Sequence, residues 1–223
     1  MQNGLQKRIE AAERDFSLPP EVGRVAEHVE QGFACFLVEL LRVGQLLQHD
    51  EETGLGTGAV DRILKRRKVA FVLASAGGTR LPVERLGGAP IKIVEGETWN
   101  AIAAADVALA ASGTVTVETA LLGTPMVTFY RVAEATWRLG RPFVKVPFYS
   151  MVNLVAGRRV VPELIQREMT PERLAAETLE LLQNPAARER MRADLDEVAR
   201  RLGSRHDPIE RAADEVESVL KRK

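Results

Sequence analysis

The spacing of apolar residues divides the chain into a helical first part and an alternating second part. Apolar residues from Val22 to Leu41 recur at intervals of three and four, which is the pattern of an amphipathic helix. Residues 51–58, EETGLGTG, interrupt this pattern, and their glycines predict a loop or linker. We therefore predict a helical N-terminal segment over residues 1–58 and a second domain over residues 59–223.

The second domain alternates between short apolar runs and helical stretches. Four apolar runs predict buried strands: VAFVLA (69–74), IKIV (91–94), VALA (107–110) and MVTFY (126–130). Two helical stretches, ETWNAIAAA and TVETALL, lie between the later runs. An alternation of strand and helix predicts a parallel sheet with helices on its faces, which is a Rossmann-like α/β fold.

Three more helices are predicted in the last third of the chain. Their sequences are TPERLAAETLELLQ, PAARERMRADLDEVARRLG and DPIERAADEVESVLKR. Each begins at a Thr-Pro, Asn-Pro or Asp-Pro pair, which suits an N-cap followed by proline at the first helical position. The predicted fold class is therefore α/β, a parallel sheet with a helical C-terminal tail and a helical N-terminal extension.

Composition narrows the class of function. Lys plus Arg and Asp plus Glu each number 31, so no net charge attracts nucleic acid or an anionic membrane. No stretch approaches the roughly 20 apolar residues that span a bilayer, and the charged N-terminus has no signal-peptide core. We expect a cytoplasmic protein, with attachment to the inner membrane surface left open. The single cysteine, Cys35, excludes a disulfide framework within one chain, and the scattered histidines predict no metal site and no cofactor.

The segment ADVALAASGTVTVETALLGTPMVTFY (105–130) carries the candidate chemistry. After its first strand, Ser112, Gly113 and Thr114 turn the chain into a helix. Ligands bind beyond the carboxyl ends of parallel strands, and the N–H groups and dipole at a helix N-terminus favour an anion such as a diphosphate. Glu118 lies one turn further on, where its carboxylate could accept hydrogen bonds from two ribose hydroxyls. The alternative is a plain N-cap followed by a solvated glutamate.

Two blocks of sequence resemble the lipid-A-disaccharide synthase family of GT-B type glycosyltransferases. They are ADVALAASGTVTVETALLGTPMVTFYRV and RLGRPFVKVPFYSMVNLVAGRRVVPELIQREMTPERLAAETLELL. The resemblance covers residues 90–183 well, and it implies that residues 59–223 form the C-terminal lobe, which binds a UDP-sugar. The implied reaction transfers 2,3-diacylglucosamine from its UDP carrier to 2,3-diacylglucosamine 1-phosphate in lipid A biosynthesis.

The resemblance also implies roles for individual residues. It implies that the 112–114 turn contacts the phosphates and that Glu118 contacts the ribose. Asn153, in the N-L-x-A-G run, would contact the donor, and Arg158 would shape that loop. The implied partners are UDP-linked acylated glucosamine and acylated glucosamine 1-phosphate, with no nucleic acid among them.

The chain departs from the family pattern in three respects. Val152 stands where the family usually has proline, which weakens the expected hold on the loop, and Arg159 stands where it usually has glutamate, which reverses a charge near the presumed site. Residues 1–58 do not resemble the family's N-terminal lobe, which holds the acceptor and the proposed catalytic base, so no catalytic residue is assigned. The alternative function is therefore a truncated, non-catalytic UDP-binding remnant.

Three further features carry hypotheses of their own. SAGGTRLP (75–82) is similar to the glycine-rich signature of sugar nucleotidyltransferases but lacks one glycine, and an ordinary loop is the alternative. TWRLGRPFVKVPF (136–148) mixes aromatic and basic residues, which suits a peripheral membrane contact, and a helix packed on the sheet with its charges in water is the alternative. We also expect a homodimer, formed through the helix predicted at FACFLVELL or by exchange of the C-terminal helices.

Overall fold

The computed structural model describes residues 33–38, 55–75, 91–203 and 208–221. The strands in these ranges form one six-stranded sheet with the order β3-β2-β1-β4-β5-β6, and all neighbouring strands are parallel. The strands are β1 (Phe33–Val38), β2 (Val69–Ser75), β3 (Ile91–Glu95), β4 (Val107–Ala111), β5 (Met126–Tyr130) and β6 (Glu163–Ile165). The four strands that the apolar runs predicted are confirmed as β2 to β5.

Helices connect the strands and extend the chain beyond them. They are α1 (Leu55–Leu64), α2 (Thr98–Ala104), α3 (Thr114–Leu121), α4 (Glu134–Gly140), α5 (Met151–Ala156), α6 (Pro171–Gln183), α7 (Pro185–Leu202) and α8 (Pro208–Lys221). The Thr-Pro and Asn-Pro starts are confirmed, because the side chains of Thr170 and Asn184 accept hydrogen bonds from the N–H groups of Arg173 and Ala187. In the part of the chain that the structure describes, no helix is long and apolar enough to span a bilayer.

The hydrophobic core lies between the sheet and the helices that cover it. Strand β4 is buried along its whole length, as expected for a strand covered on both faces. Helices α6 and α7 contribute apolar stripes that include the fully buried Leu174, Leu182 and Leu195. Helix α1 packs on α6 and adds the fully buried Ile63 to the same core.

Two predictions for the N-terminal part are wrong. The predicted amphipathic helix fails at Phe33–Val38, which forms strand β1, and the predicted linker fails at Leu55, where α1 begins. A central parallel strand is apolar at consecutive positions, so FACFLV also fits a helical spacing, and only its pairing with neighbouring strands distinguishes the two. Strand β1 precedes the predicted boundary at residue 59 and yet pairs with β2 and β4. The rest of the predicted N-terminal helix lies outside the described residues.

The strand order places a topological switch point at the centre of the sheet, and with it a candidate ligand-binding crevice. From β1 the chain proceeds outward through β2 and β3, whereas from β4 it proceeds in the opposite direction through β5 and β6. The order of the strands therefore reverses between β1 and β4. In open α/β sheets, ligands bind outside the carboxyl ends of the strands at this switch point.

Candidate functional site

The turn after β4 lies beside this crevice. The Ser112 N–H donates to the carbonyl of Phe129 at 2.7 Å, which joins the start of the turn to the end of β5. The Gly113 carbonyl accepts from both the backbone N–H of Thr116 at 3.1 Å and its hydroxyl at 2.7 Å. These contacts fix the first turn of α3, so the 112–114 turn and the helix N-terminus are held at the carboxyl edge of the sheet.

The same turn offers hydrogen-bond donors and space. The first N–H groups of a helix have no partner within the helix, and the helix dipole adds positive potential there. A Cβ atom placed on Gly113 would meet nothing within 4 Å, and Thr114 is exposed. The geometry therefore suits an anionic group that approaches the N-terminus of α3.

The Ser112 hydroxyl is already used within the protein. Its Oγ donates to the carbonyl of Tyr149 at 2.7 Å. This bond ties the turn after β4 to the segment that enters α5. Contact between the 112–114 turn and phosphates stays a prediction, and in this geometry the backbone N–H groups are its better donors.

Glu118 lies on α3 and is partly buried beside α2. Its carboxylate accepts a hydrogen bond from the Trp99 side chain. Burial raises the pKa of Glu118, and the Trp99 hydrogen bond opposes this rise without cancelling it. The sequence did not single out Trp99, although a tryptophan needs a partner for its indole N–H when it is partly buried. A carboxylate held in this way is a preorganised acceptor for hydroxyl groups.

Asn153 lies in α5 and is completely buried. Its amide nitrogen donates to the carbonyl of Val161 at 3.0 Å and to Oε1 of Glu163 at 2.8 Å. Its amide oxygen accepts from the N–H groups of Val160 at 2.7 Å and Val161 at 3.0 Å. An asparagine side chain has two donors and two acceptor positions, so this one is fully used inside the protein. The structure shows Asn153 holding α5 to the start of β6, and its contact with a donor sugar stays a prediction.

Glu163 is a functional candidate that the sequence analysis missed. Its buried carboxylate accepts from the N–H groups of Tyr149 at 3.2 Å and Ser150 at 2.9 Å, in addition to Asn153. The Tyr149–Ser150 segment is therefore held by Ser112 through a carbonyl and by Glu163 through two N–H groups. The sequence feature that could have revealed Glu163 is its position as the only carboxylate in the otherwise apolar run VVPELI. A buried carboxylate requires several hydrogen-bond donors around it.

Arg158 is not brought to this site. Its guanidinium donates to Asp194 at 2.7 Å and to Glu197 at 3.0 Å, both on α7, and these hydrogen bonds raise its pKa. Arg158 and Arg159 lie between α5 and β6. The Arg159 guanidinium donates to the Glu163 carbonyl at 3.0 Å, and the expectation that Arg159 reverses a charge near the site stays a prediction.

The basic and aromatic segment lies at the same sheet edge as the turn. Helix α4 buries no residue, which contradicts the alternative of a helix packed on the sheet. The Trp137 ring lies 5.6 Å from the Tyr149 ring, centroid to centroid. Large apolar side chains of this segment face solvent, namely Leu139, Phe143, Val144 and Val146. The segment thus presents an apolar surface next to basic residues.

Comparisons with known proteins agree with this architecture. A family model described as lipid-A-disaccharide synthetase matches residues 83–216. The chain is similar to the lipid-A-disaccharide synthase of Solibacter usitatus, with 52% identity over 164 residues that make up 73% of this chain and 43% of that protein. It is also similar to that of Myxococcus xanthus, with 45% identity over 137 residues, 61% of this chain and 35% of that protein. The chain thus spans less than half the length of these curated relatives.

Solved structures are similar in fold. The glycosyltransferase VinC in complex with DTDP has a TM-score of 0.56 and 13% identity, with 94% of this chain and 47% of that chain covered. WaaG, a glycosyltransferase involved in lipopolysaccharide biosynthesis, has a TM-score of 0.54 and 16% identity, with 84% and 49% covered. At such identities these structures establish the fold alone, which is that of one GT-B lobe.

Proposed function

Because the chain belongs to the lipid-A-disaccharide synthetase family, we propose that it binds the UDP-sugar in a lipid-A-disaccharide synthase reaction. In that reaction 2,3-diacylglucosamine passes from UDP to 2,3-diacylglucosamine 1-phosphate, and UDP is released. The observation that carries the proposal is the 112–114 turn, which lies at the N-terminus of α3 beside the switch point of the sheet. The comparisons do not favour a truncated, non-catalytic remnant over this function.

We propose complementary tasks for the turn and for Glu118. The N–H groups at the start of α3 would hold the diphosphate, and the Glu118 carboxylate would accept from the ribose hydroxyls. When the bond between the sugar and the diphosphate breaks, negative charge accumulates on the departing UDP. Preorganised N–H donors stabilise that charge as it develops, so the turn would serve the transfer step as well as binding.

The nucleotide part of the proposal is tested by calorimetry with UDP. Glu118→Ala should weaken binding by roughly 1–3 kcal/mol, the usual cost of leaving polar partners unpaired. Glu189→Ala is a matched control, because Glu189 is an exposed glutamate on α7. Equal UDP affinity in the wild type and in Glu118→Ala would remove the proposed ribose contact.

The transfer part is tested by incubating the chain with both acylated sugars. Mass spectrometry should detect the disaccharide and UDP in equal amounts, and Glu118→Ala should reduce both. UDP binding without any disaccharide would limit the function of this chain to binding the nucleotide sugar.

We also propose that the segment around α4 contacts a membrane surface. Leu139 and Phe143 are 75% and 85% exposed, and burying a side chain of this kind contributes about 1.5–3 kcal/mol. Replacing both residues with aspartate should reduce flotation with phospholipid vesicles. Leu202→Asp is the control, because Leu202 is an exposed apolar residue at the end of α7. Equal flotation of the wild type and the double variant would refute this contact.

A further inference from the structure

Glu163 is connected to the turn after β4 through the backbone of Tyr149. Glu163 is only 5% exposed, and its Oε2 accepts from the Tyr149 N–H at 3.2 Å. Its Oε1 accepts from the Ser150 N–H at 2.9 Å and from the Asn153 amide at 2.8 Å. The carbonyl of the same Tyr149 accepts from the Ser112 hydroxyl at 2.7 Å. A buried carboxylate on β6 is thus joined to this turn by two successive hydrogen bonds.

The segment that enters α5 is held from the sheet and not by a local helix cap. Ser150 is the N-cap residue of α5, and a serine in this position usually accepts from an N–H group in the first turn of its own helix. The Ser150 side chain makes no such bond within α5. Glu163, 13 positions further along the chain, supplies the acceptors for the entering segment. A local cap would fix this segment only to its own helix, whereas a carboxylate from a strand fixes it to the sheet.

Strand β5 connects the two ends of this series of hydrogen bonds. Glu163 pairs with Thr128 in the register of β5 and β6. The next residue of β5, Phe129, accepts from the Ser112 N–H at 2.7 Å. The turn is therefore attached to the sheet twice, directly through the Ser112 N–H and indirectly through the Ser112 hydroxyl, Tyr149 and Glu163. A single hydrogen bond leaves a turn free to rotate about it, and the second attachment restricts that rotation.

Orientation matters for the residues that follow Ser112. Gly113 and Thr114 come next in the chain, and a Cβ atom placed on Gly113 would meet nothing within 4 Å. Side-chain packing therefore does not restrain the turn at this glycine. Hydrogen bonds weaken steeply as the angle at the donor departs from linear. The N–H groups of the turn consequently depend on the attachments of Ser112 for their direction.

We propose that Glu163 is a positioning residue of the nucleotide site. Its carboxylate holds Tyr149 so that the Tyr149 carbonyl orients Ser112, and with it the N–H groups that receive the diphosphate. The inference rests on the proposed function, because that function supplies the diphosphate. Glu163 does not touch the ligand, since its oxygens accept three hydrogen bonds inside the protein. A glutamine has one acceptor oxygen instead of two, so it would leave the N–H of either Tyr149 or Ser150 without its partner.

The first test is a double-mutant cycle on UDP affinity, measured by calorimetry. Glu163→Gln and Ser112→Ala should each weaken UDP binding by about two- to tenfold, the range expected for one hydrogen bond. The double variant should bind about as weakly as the weaker single variant, because both changes interrupt the same connection. Thr178→Ala is the matched control, because Thr178 is buried on α6 and its hydroxyl donates to the Leu174 carbonyl. This control should lose stability and keep its UDP affinity.

The second test uses the free protein and needs no ligand. In NMR spectra, the backbone amide resonances of Gly113 and Thr114 should shift in Glu163→Gln and stay in place in Thr178→Ala. This signature separates positioning from a general loss of stability, because only positioning links a change on β6 to the turn.

A complementary variant covers the case in which Glu163→Gln does not fold. Ser112→Ala changes the other end of the same connection and leaves the buried carboxylate intact. It should shift the amide resonances of Tyr149 and Ser150 in the free protein and weaken UDP binding. Unchanged resonances at both residues would contradict the inference without any variant of Glu163.

Two further results would overturn the inference. A double variant whose loss of affinity equals the product of the two single losses would show that Glu163 and Ser112 act separately. Unshifted resonances of the turn in a folded Glu163→Gln would show that the carboxylate does not orient it. Failure of UDP to bind the wild type would instead refute the proposed function, because the NMR comparison does not use the nucleotide.

Discussion

Replacing Asn153 with alanine should destabilise the protein much more than it weakens UDP binding. The side chain is completely buried and makes four hydrogen bonds, two through its amide nitrogen and two through its oxygen. Alanine would leave the N–H groups of Val160 and Val161 and one oxygen of Glu163 without this partner. The loss therefore falls on the junction between α5 and β6.

The magnitude follows from these four bonds. At about 0.5–1.5 kcal/mol net for each hydrogen bond, the free energy of unfolding falls by roughly 2–6 kcal/mol. Water that enters the vacated space reduces this loss of stability toward about 3 kcal/mol. For a chain of this size, such a loss lowers the melting temperature by about 6–12 °C. UDP affinity of the folded variant should change less than in Glu118→Ala, because Asn153 has no donor or acceptor left for a ligand.

Thermal unfolding followed by circular dichroism measures the effect. Asn184→Ala is the matched control, because Asn184 caps α7 through a single hydrogen bond and should cost only about 1 kcal/mol. A melting temperature for Asn153→Ala equal to that of Asn184→Ala would refute the positioning role. A normal melting temperature with abolished UDP binding would instead favour direct contact between Asn153 and the ligand.

Three other predictions concern the site and the surface. Burial raises the pKa of Glu118, and the protonated carboxyl loses acceptor capacity. As the pH is lowered, UDP affinity measured by calorimetry should therefore begin to fall at a higher pH than it would for an ordinary glutamate, and a fall confined to the range of an ordinary glutamate would contradict this. Arg158→Ala should leave UDP affinity unchanged, since its partners lie on α7, and a severalfold loss in calorimetry would place it nearer the ligand. We expect the chain to self-associate through α8, where Val216 and Leu220 are exposed. Light scattering should then give a mass above the 24.6 kDa of one chain, and Val216→Asp should lower that mass. A monomer mass for the wild type would exclude this self-association.

The apolar pattern predicted most strands of the sheet, because a strand that is buried on both faces consists mainly of consecutive apolar residues. Strand β4 is apolar throughout, β2 is apolar up to its last residue, and β5 is interrupted only by Thr128. Strand β3 lies at an edge of the described sheet, contains Lys92 and Glu95, and buries none of its residues fully. Strand β6 has only three residues and contains Glu163, so it lacks such a run. Strand β1 has the run, but helically spaced neighbours surround it in the sequence, and its pairing partners are distant along the chain.

The location of a candidate residue in the fold was predictable from the sequence where that residue directly follows a strand. The 112–114 turn follows β4 directly, so the carboxyl edge was its only place in a parallel sheet. The contacts of Asn153 and Arg158 depend instead on the direction that the chain takes after α5. Gly157 ends that helix in the left-handed conformation, with a φ of 69°, and this reversal directs Arg158 toward α7. Sequence spacing alone does not show such a reversal.

The geometry also accounts for Val152, which stands where the family usually has proline. Val152 is the second residue of α5, in the first turn, where a backbone N–H has no partner within the helix. Proline is tolerated there because it lacks only that unpaired donor, so valine and proline suit the same backbone. The segment entering α5 is held by other means, since Glu163 accepts from the N–H groups of Tyr149 and Ser150. A buried carboxylate therefore positions the segment that proline was expected to hold. The departure at Val152 leaves the hydrogen bonds that connect Ser112, Tyr149 and Glu163 intact.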